Sequence, residues 1–237
     1  SFMGPKRYTR HVVDYKKLPP INYVIISHNH YDHLDSEATE VLHQQQVPPR
    51  YYVPLGLKDW LLETDGKVQA SNIVEMDWGD SAQHQNIKIN ALPSQHWSAR
   101  SLFDRFETLW ASWRVELGDF SFWFAGDTGY NKQLFTELGK TLLPVDLSFI
   151  PIGAYSPRDF MKDYHLNPEE AVLVHQHIKT KQSIGMHWGT YPLTAEEPTE
   201  PPIRLKAAAD NAGLQKGVFS VMKLGETREI FLKADEY

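Results

Sequence analysis

The feature that most constrains the fold is a run of metal-ligating side chains between a strand and a helix. The segment S-H-N-H-Y-D-H-L-D at residues 27–35 follows the apolar, β-branched segment N-Y-V-I-I-S, which is typical of a buried strand. A helix is predicted from 35 to 46, because its apolar residues share one face and Pro48-Pro49 stops it. Several polar side chains on one loop beside a core need a compensating cation. The metal ligands predicted on this loop are His28, His30, Asp32 and His33.

The spacing of these ligands indicates two adjacent metals. His28 and His30 are two residues apart and point the same way if the backbone is extended, whereas Asp32 and His33 follow a turn. A zinc ion in a protein takes about four ligands, so the others must come from other strand ends. Taken singly, each candidate also has a structural interpretation as a capping, turn or half-buried residue, and spacing alone does not select them. The candidates that follow apolar segments are His96, Asp127 and His187.

Composition limits the metal and the partners. The chain has no cysteine, so imidazole and carboxylate must hold any metal, which suits zinc, manganese or iron. Its net charge of −6 provides no basic footprint for nucleic acid and no polybasic anchor for anionic lipid. No apolar run approaches the roughly 20 residues that span a bilayer. We therefore expect a cytoplasmic enzyme without nucleic-acid partners.

The order of the predicted elements is mixed, which indicates two sheets between helices in one domain over residues 1–237. The capping pattern N-P-E-E at 167–170 marks one helix start. Besides the first strand and helix, helices are predicted at 56–63, 130–138, 168–179 and 202–212. Further strands are predicted at 50–53, 71–76, 86–92, 106–116, 119–125, 146–151, 182–186, 218–223 and 227–232.

The motifs resemble those of a known superfamily. H-N-H-Y-D-H is similar to the H-x-H-x-D-H signature of metallo-β-lactamases, and S-Q-H-W, F-A-G-D-T-G-Y and M-H-W-G-T follow in the matching order. M-G-P-K-R, L-W-A-S-W, I-G-A-Y-S-P-R and H-L-N-P-E-E-A resemble the N-acyl-phosphatidylethanolamine-hydrolysing phospholipase D family and its bacterial relatives. The resemblance implies an α+β fold, a four-layer αββα sandwich. It also implies a β-hairpin just upstream of M-G-P-K-R that this sequence lacks, so we expect a further segment there.

The resemblance also implies the role of each ligand. His28, His30 and His96 would hold one zinc ion, Asp32, His33 and His187 a second, and Asp127 would bridge both. It implies hydrolysis by a hydroxide shared between the metals, with Asp32 as the catalytic residue that orients it or relays a proton. Substrate contacts are predicted more weakly, at His165, Tyr155 and Trp188.

The substrate is the point that the sequence leaves most open. The family suggests phosphodiester cleavage in a phospholipid, whereas the same site would serve a lactonase or another small-molecule hydrolase. A third alternative, metals that only stabilise the fold, requires far fewer ligands than this pattern offers. Peripheral membrane contact and a homodimer are further hypotheses about partners.

Overall fold

The computed structural model describes residues 5–65, 68–141 and 145–229, which form two compact units. The first unit comprises Asp14–Asp119 and Trp123–Gly129, and the second comprises Ser1–Val13, Phe120–Phe122 and Tyr130–Tyr237. Strand β7 (Phe120–Phe124) contributes residues to both units. Strands and helices alternate along most of the chain, which is the mixed order that the sequence predicts.

A parallel sheet organises one part of the first unit. Its strands are β1 (Tyr23–Ile25), β2 (Arg50–Pro54) and β3 (Ile73–Met76), with β2 in the centre. Parallel strands need crossover connections, and these contain α1 (Ser36–His43) and α2 (Leu57–Asp65). The core of this part consists of apolar side chains from the sheet and both flanking segments: Ile26, Leu34, Tyr51, Val53, Leu57, Leu61, Val68 and Ile73.

An antiparallel meander forms the other part of the first unit. Strand β5 (Ile87–Leu92) pairs with β4 (Ser81–His84) on one side and with β6 (Ser112–Leu117) on the other. Alternate residues of β5 are buried, as expected for a sheet with one covered face. Strand β4 was not predicted, because its sequence S-A-Q-H is polar and its conformation depends on pairing with β5.

The prediction of one long strand at 106–116 is wrong over residues 106–111. The segment contains aromatic and aliphatic residues, which favoured a strand, but Phe106 has a positive φ of 66° that breaks an extended chain. Leu109 instead donates a backbone hydrogen bond to Leu55. The strand begins only at Ser112, where pairing with β5 starts.

In the described part of the second unit there are three parallel strands and four helices. Strand β9 (Gln182–Met186) lies between β8 (Leu147–Pro151) and β10 (Phe219–Val221). The helices are α3 (Lys132–Thr141), α4 (Arg158–Met161), α5 (Pro168–Ile178) and α6 (Glu200–Asn211). The short helix α4 was not predicted. The strand predicted at 227–232 lies partly outside the described residues, and 227–229 are not in a strand.

Close packing in the second unit depends on glycine at one helix contact. Helix α5 packs against both α3 and α6. At the contact with α3, a Cβ on Gly139 would lie 1.9 Å from the backbone oxygen of His177, so only glycine fits.

None of the helices in the described parts of the chain is long and apolar enough to cross a membrane.

Candidate metal centre

The first candidate ligands lie on a tight loop between β1 and α1. Its turn is closed by backbone hydrogen bonds from His33 and Leu34 to the carbonyl oxygen of His30, at 3.0 and 2.9 Å. Leu34 is buried in the core and anchors the far end of the turn. Asp35 then caps α1 by accepting a hydrogen bond from the Ala38 amide. The loop is therefore fixed at both ends.

Three imidazoles converge in the first unit. The Nε2 atom of His28 lies 2.9 Å from Nδ1 of His30, and Nε2 of His96 lies 3.3 Å from the same atom. The ligand atoms of all three residues lie within 4.8 Å of one another. His28 and His96 are buried, and His30 is half-buried. His30 and His96, which are 66 positions apart in the sequence, thus come together at one point.

A carboxylate-rich group adjoins these imidazoles. The Nε2 atom of His33 lies 3.1 Å from Oδ2 of Asp127 and 3.3 Å from Oδ2 of Asp32. The same Asp127 oxygen lies 4.0 Å from Nε2 of His28 and 3.8 Å from Nε2 of His96. Asp127 therefore borders both groups, which is the position that a bridging ligand requires.

The donor set fits divalent metal. With metal–ligand distances near 2.0–2.1 Å, neighbouring ligand atoms of a tetrahedral zinc lie about 3.3 Å apart. The Nε2 atoms of His28 and His96 lie 2.9 and 3.3 Å from Nδ1 of His30, close to that distance between neighbouring ligand atoms. Neutral imidazole and carboxylate are also ligands for manganese and iron, so the donor set does not select one metal.

Electrostatics in the cluster also favour a cation. Burial lowers the pKa of His28 well below its ordinary value, and the neighbouring His33 and His96 lower it further, which leaves a neutral ring able to bind metal. Burial also lowers the pKa of His33, but the charges and hydrogen bonds of Asp127 and Asp32 outweigh it and raise the pKa to about 10. The two carboxylates thus attract positive charge to this point.

We name residues 27–35 the metal loop. Two contacts orient the metal loop, and neither was identified from the sequence. The hydroxyl of Ser27 lies 3.0 Å from Nδ1 of His28, which directs Nε2 of that ring towards the cluster. The guanidinium of Arg100 donates hydrogen bonds to the carbonyl oxygens of Asn29 and Leu34, at 2.9 and 2.7 Å. Only the place of Arg100 in Q-H-W-S-A-R, four residues after His96, hinted at a role.

The loops that carry His96 and Asp127 are hydrogen-bonded to each other. The amide of Gln95 donates to the Thr128 hydroxyl at 2.9 Å, and the amide of Gly129 donates to the Gln95 carbonyl at 2.8 Å. Gly126 has a φ of 61°, and a Cβ there would lie 2.7 Å from Cβ of Ser27. The motif F-A-G-D-T-G-Y therefore requires glycine before its aspartate, because the loop passes close to the start of the metal loop.

The motif L-W-A-S-W at residues 109–113 donates hydrogen bonds to the segments that precede His28 and His96. The indole of Trp113 is fully buried and donates to the carbonyl oxygen of Ile26 at 3.0 Å, just before the metal loop. The amide of Ala111 donates to the Ser27 carbonyl at 2.8 Å. The indole of Trp110 donates to the Ser94 carbonyl at 2.8 Å, two residues before His96. The role of this motif is thus positional.

His187 belongs to the second unit and directly follows β9. Its φ is 60°, an uncommon value for a residue other than glycine, and such values cluster at functional sites. Gly153 lies so close that a Cβ there would be 2.0 Å from the carbonyl oxygen of His187. The ring of His187 stacks with the ring of His165 at a centroid distance of 5.7 Å.

The loop that carries His165 is tied to the start of α5. The capping box predicted there is present: Asn167 Oδ1 accepts from the Glu170 amide, and the Glu170 carboxylate accepts from the Asn167 amide. The same carboxylate accepts a hydrogen bond from Arg158, whose other nitrogen donates to the carbonyl oxygen of His165 at 2.7 Å. Arg158 is therefore a structural link within this unit.

The remaining predicted substrate contacts have different surroundings. Tyr155 is buried, its hydroxyl donates to Glu200 at 2.8 Å, and the guanidinium of Arg204 lies over its ring. These contacts give Tyr155 a packing role in the second unit. Trp188 is half-buried beside His187. The substrate contacts of His165, Tyr155 and Trp188 stay predictions.

Similarity to known proteins extends over most of the chain. The profile of the β-lactamase superfamily domain matches residues 1–188. The chain is 41% identical over 236 residues to N-acyl-phosphatidylethanolamine-hydrolyzing phospholipase D 1 of Caenorhabditis elegans, covering 97% of this chain and 66% of that protein. It is 32% identical to the mitochondrial N-acyl-phosphatidylethanolamine-hydrolyzing phospholipase D of Saccharomyces cerevisiae, covering 95% of this chain and 48% of that protein. The chain thus spans from about half to just under two thirds of the length of these relatives.

Solved structures share the fold. A metallo hydrolase from Ignicoccus hospitalis has a TM-score of 0.68 at 22% identity, covering 93% of this chain and 84% of that one. An isothiocyanate hydrolase from Delia radicum gut bacteria also has a TM-score of 0.68, at 17% identity, covering 92% of this chain and 80% of that one. These likenesses confirm the predicted α+β fold class of the metallo-β-lactamase type. Because the family profile matches residues 1–188, the chain belongs to the β-lactamase superfamily.

Proposed function

We propose that this protein is a metal-dependent phosphodiesterase that hydrolyses N-acyl-phosphatidylethanolamine. The observation that carries the proposal is the convergence of His28, His33 and His96 on the carboxylate of Asp127, with His30 grouped with His28 and His96. The named activity of the relatives that are 41% and 32% identical supports the choice of substrate. Water would cleave the bond between phosphorus and the ethanolamine oxygen and leave phosphatidic acid and N-acylethanolamine.

Two zinc ions are proposed as the cofactors, with manganese or iron as the alternatives that the same ligands allow. His28, His30 and His96 would hold one ion, Asp32, His33 and His187 the other, and Asp127 both. The assignment of His187 rests on the motif M-H-W-G-T and on its unusual backbone conformation after β9. We further propose that both units belong to a single hydrolase domain, since the family profile includes residues of each.

The residues of the chain have distinct parts in this reaction. Bound together, two such ions would supply a hydroxide nucleophile at neutral pH and a Lewis acid for a phosphoryl oxygen. Asp32 is the most exposed of the carboxylates in the cluster, so it can face a substrate, orient the attacking water and take its proton. The neutral ring of His28 and the fixed loop around it hold the ligands in place, so little reorganisation accompanies the reaction.

Product analysis by mass spectrometry tests this function. Zinc-loaded protein would be incubated with N-acyl-phosphatidylethanolamine in mixed micelles, beside the variants Asp127→Ala and Asp119→Ala. Asp119 is an exposed aspartate in the turn before β7 and is the matched control. We expect N-acylethanolamine and phosphatidic acid from the wild type and the control only. Absence of both products, with turnover of a lactone instead, would replace the phosphodiesterase by a small-molecule hydrolase.

A further inference from the structure

The loop that follows His96 and Trp97 carries two almost fully exposed apolar side chains. Leu102 is 92% exposed and Phe103 is 89% exposed, the highest values among the large apolar residues that the structure describes. The two residues are adjacent in the sequence. We name Leu102 and Phe103 the apolar tip. Neighbouring exposed apolar side chains are a candidate interaction surface.

Local hydrogen bonds hold the backbone that presents the apolar tip. The carboxylate of Asp104 accepts hydrogen bonds from the amides of Arg100 and Ser101 and from the Ser101 hydroxyl. The Ser101 hydroxyl in turn accepts from the amide of Phe103 at 3.2 Å. Backbone N–H groups that leave water must keep a partner, because lipid offers none. This turn meets that condition at three of its amides.

The surroundings of the apolar tip are those of a membrane interface. Arg105 lies over the rings of Trp97 and Phe106, both at 4.9 Å. Phe106 contacts Trp110, and Trp110 contacts Trp78. Tryptophan and arginine are suited to the headgroup region, where a ring or stem is apolar and a polar end meets phosphate and water. Aromatic and cationic side chains thus neighbour the apolar tip in the sequence and contact one another.

The loop that carries the apolar tip contacts the candidate metal centre through neighbouring residues of the same segment, Trp97, Arg100 and Arg105. The ring of Trp97 contacts the ring of His30 edge-on at a centroid distance of 4.5 Å. The guanidinium of Arg105 lies over the ring of Trp97. Arg100, at the base of the loop, holds the carbonyl oxygens of Asn29 and Leu34 in the metal loop. A surface that engages the tip therefore lies beside the ligands of the first metal.

We propose that the apolar tip inserts into the interface of a phospholipid bilayer and brings the metal centre to its substrate. The choice of lipid as partner rests on the proposed function. A protein partner fits less well, because two side chains at a convex turn supply only a small part of the roughly 800 Å² per side that specific protein interfaces bury. Since the chain carries a net charge of −6, apolar insertion rather than charge must drive binding.

Vesicle sedimentation tests the apolar tip separately from hydrolysis. Zinc-loaded protein is mixed with phosphatidylcholine vesicles at low salt and at 0.5 M sodium chloride. The double variant Leu102→Ser/Phe103→Ser is compared with Phe160→Ser/Ile203→Ser, whose side chains are 74% and 68% exposed elsewhere on the chain. We expect the tip variant to partition on the order of 100-fold more weakly, since each apolar anchor contributes about tenfold, and the control to partition like the wild type.

A site-specific probe gives a second readout. The chain has no cysteine, so Leu102→Cys provides one attachment point for a polarity-sensitive fluorophore, with Ile203→Cys as the control. We expect a blue shift on vesicle addition for the probe at 102 alone. Equal shifts at both positions, equal partition of both double variants, or binding that high salt abolishes would overturn the proposal. So would conversion of a wild-type dimer into monomers by the tip variant without a change in partition.

The two proposals can fail separately. If the wild type partitions through the apolar tip but releases no product from N-acyl-phosphatidylethanolamine, the membrane surface stands and the substrate assignment falls. If it cleaves that lipid in mixed micelles while the tip variant partitions like the wild type, the function stands and the tip falls. Turnover of a soluble chromogenic phosphodiester should be the same for the wild type and the tip variant.

Discussion

Gly153→Ala should disturb His187 without touching its side chain. The Cβ of alanine would lie 2.0 Å from the carbonyl oxygen of His187 and 3.0 Å from its carbonyl carbon. Real Cβ atoms keep at least 3.0 Å from such atoms, so the strand end and the His187 backbone must separate by about 1 Å. If His187 is the metal ligand that we propose, a displacement of that size should lower turnover on the order of 100-fold. The overpacking itself should cost about 1–3 kcal/mol of unfolding free energy.

The matched control is Gly139→Ala. It creates an equally close contact, 1.9 Å to the backbone oxygen of His177, between α3 and α5 rather than at His187. Both variants should lose similar stability in urea unfolding. If the protein binds the two zinc ions that we propose, only Gly153→Ala should lose about one of the two equivalents, measured by elemental analysis after dialysis, and the turnover of a chromogenic phosphodiester. If Gly153→Ala keeps both equivalents and wild-type turnover, or if Gly139→Ala loses as much of each, the assignment of His187 as a ligand is refuted.

Three further predictions concern residues that support the site or the core. Arg100→Ala should lower zinc affinity roughly 10–100-fold in a chelator competition, since two carbonyl groups of the metal loop lose their donor, and unchanged affinity would contradict this. Trp113→Phe should lower the unfolding free energy by about 1 kcal/mol in urea, because the Ile26 carbonyl loses its hydrogen bond. Burial lowers the pKa of His175 to about 4, so the unfolded chain, with a pKa near 6.5, binds the proton first. Stability should therefore fall as pH drops from about 6.5 to 4, by at most about 3 kcal/mol, and metal-free His175→Asn should show a shallower loss than the wild type in unfolding at several pH values.

The metal loop was predictable because its information is local. Its ligands, the strand before them and the helix cap after them occupy one continuous segment, and the structure has that strand, loop and cap. The role of Arg100 was not predictable in the same way, since its partner Asn29 is 71 residues away. Strand β4 was missed and residues 106–111 were misassigned for a related reason. There, pairing with β5 and a positive φ at Phe106 override the preference that the local sequence indicates.

The exposure of the apolar tip could not be predicted from the sequence either. The sequence R-S-L-F-D-R-F contains nothing that distinguishes an exposed Leu102 and Phe103 from a pair in the core. Only the hydrogen bonds of Asp104 to the preceding turn, and the positive φ of Phe106 after it, direct these side chains outward. Polar residues at a turn thus decided the exposure of apolar ones.

The shared carboxylate of Glu170 has a consequence for how this family can vary in length. It closes the capping box with Asn167 and also receives Arg158, which holds the carbonyl of His165. One insertion or deletion between 158 and 170 would break the helix cap or the arginine link, because a single side chain cannot follow both partners. Relatives should therefore keep this stretch at constant length while surface turns elsewhere gain and lose residues.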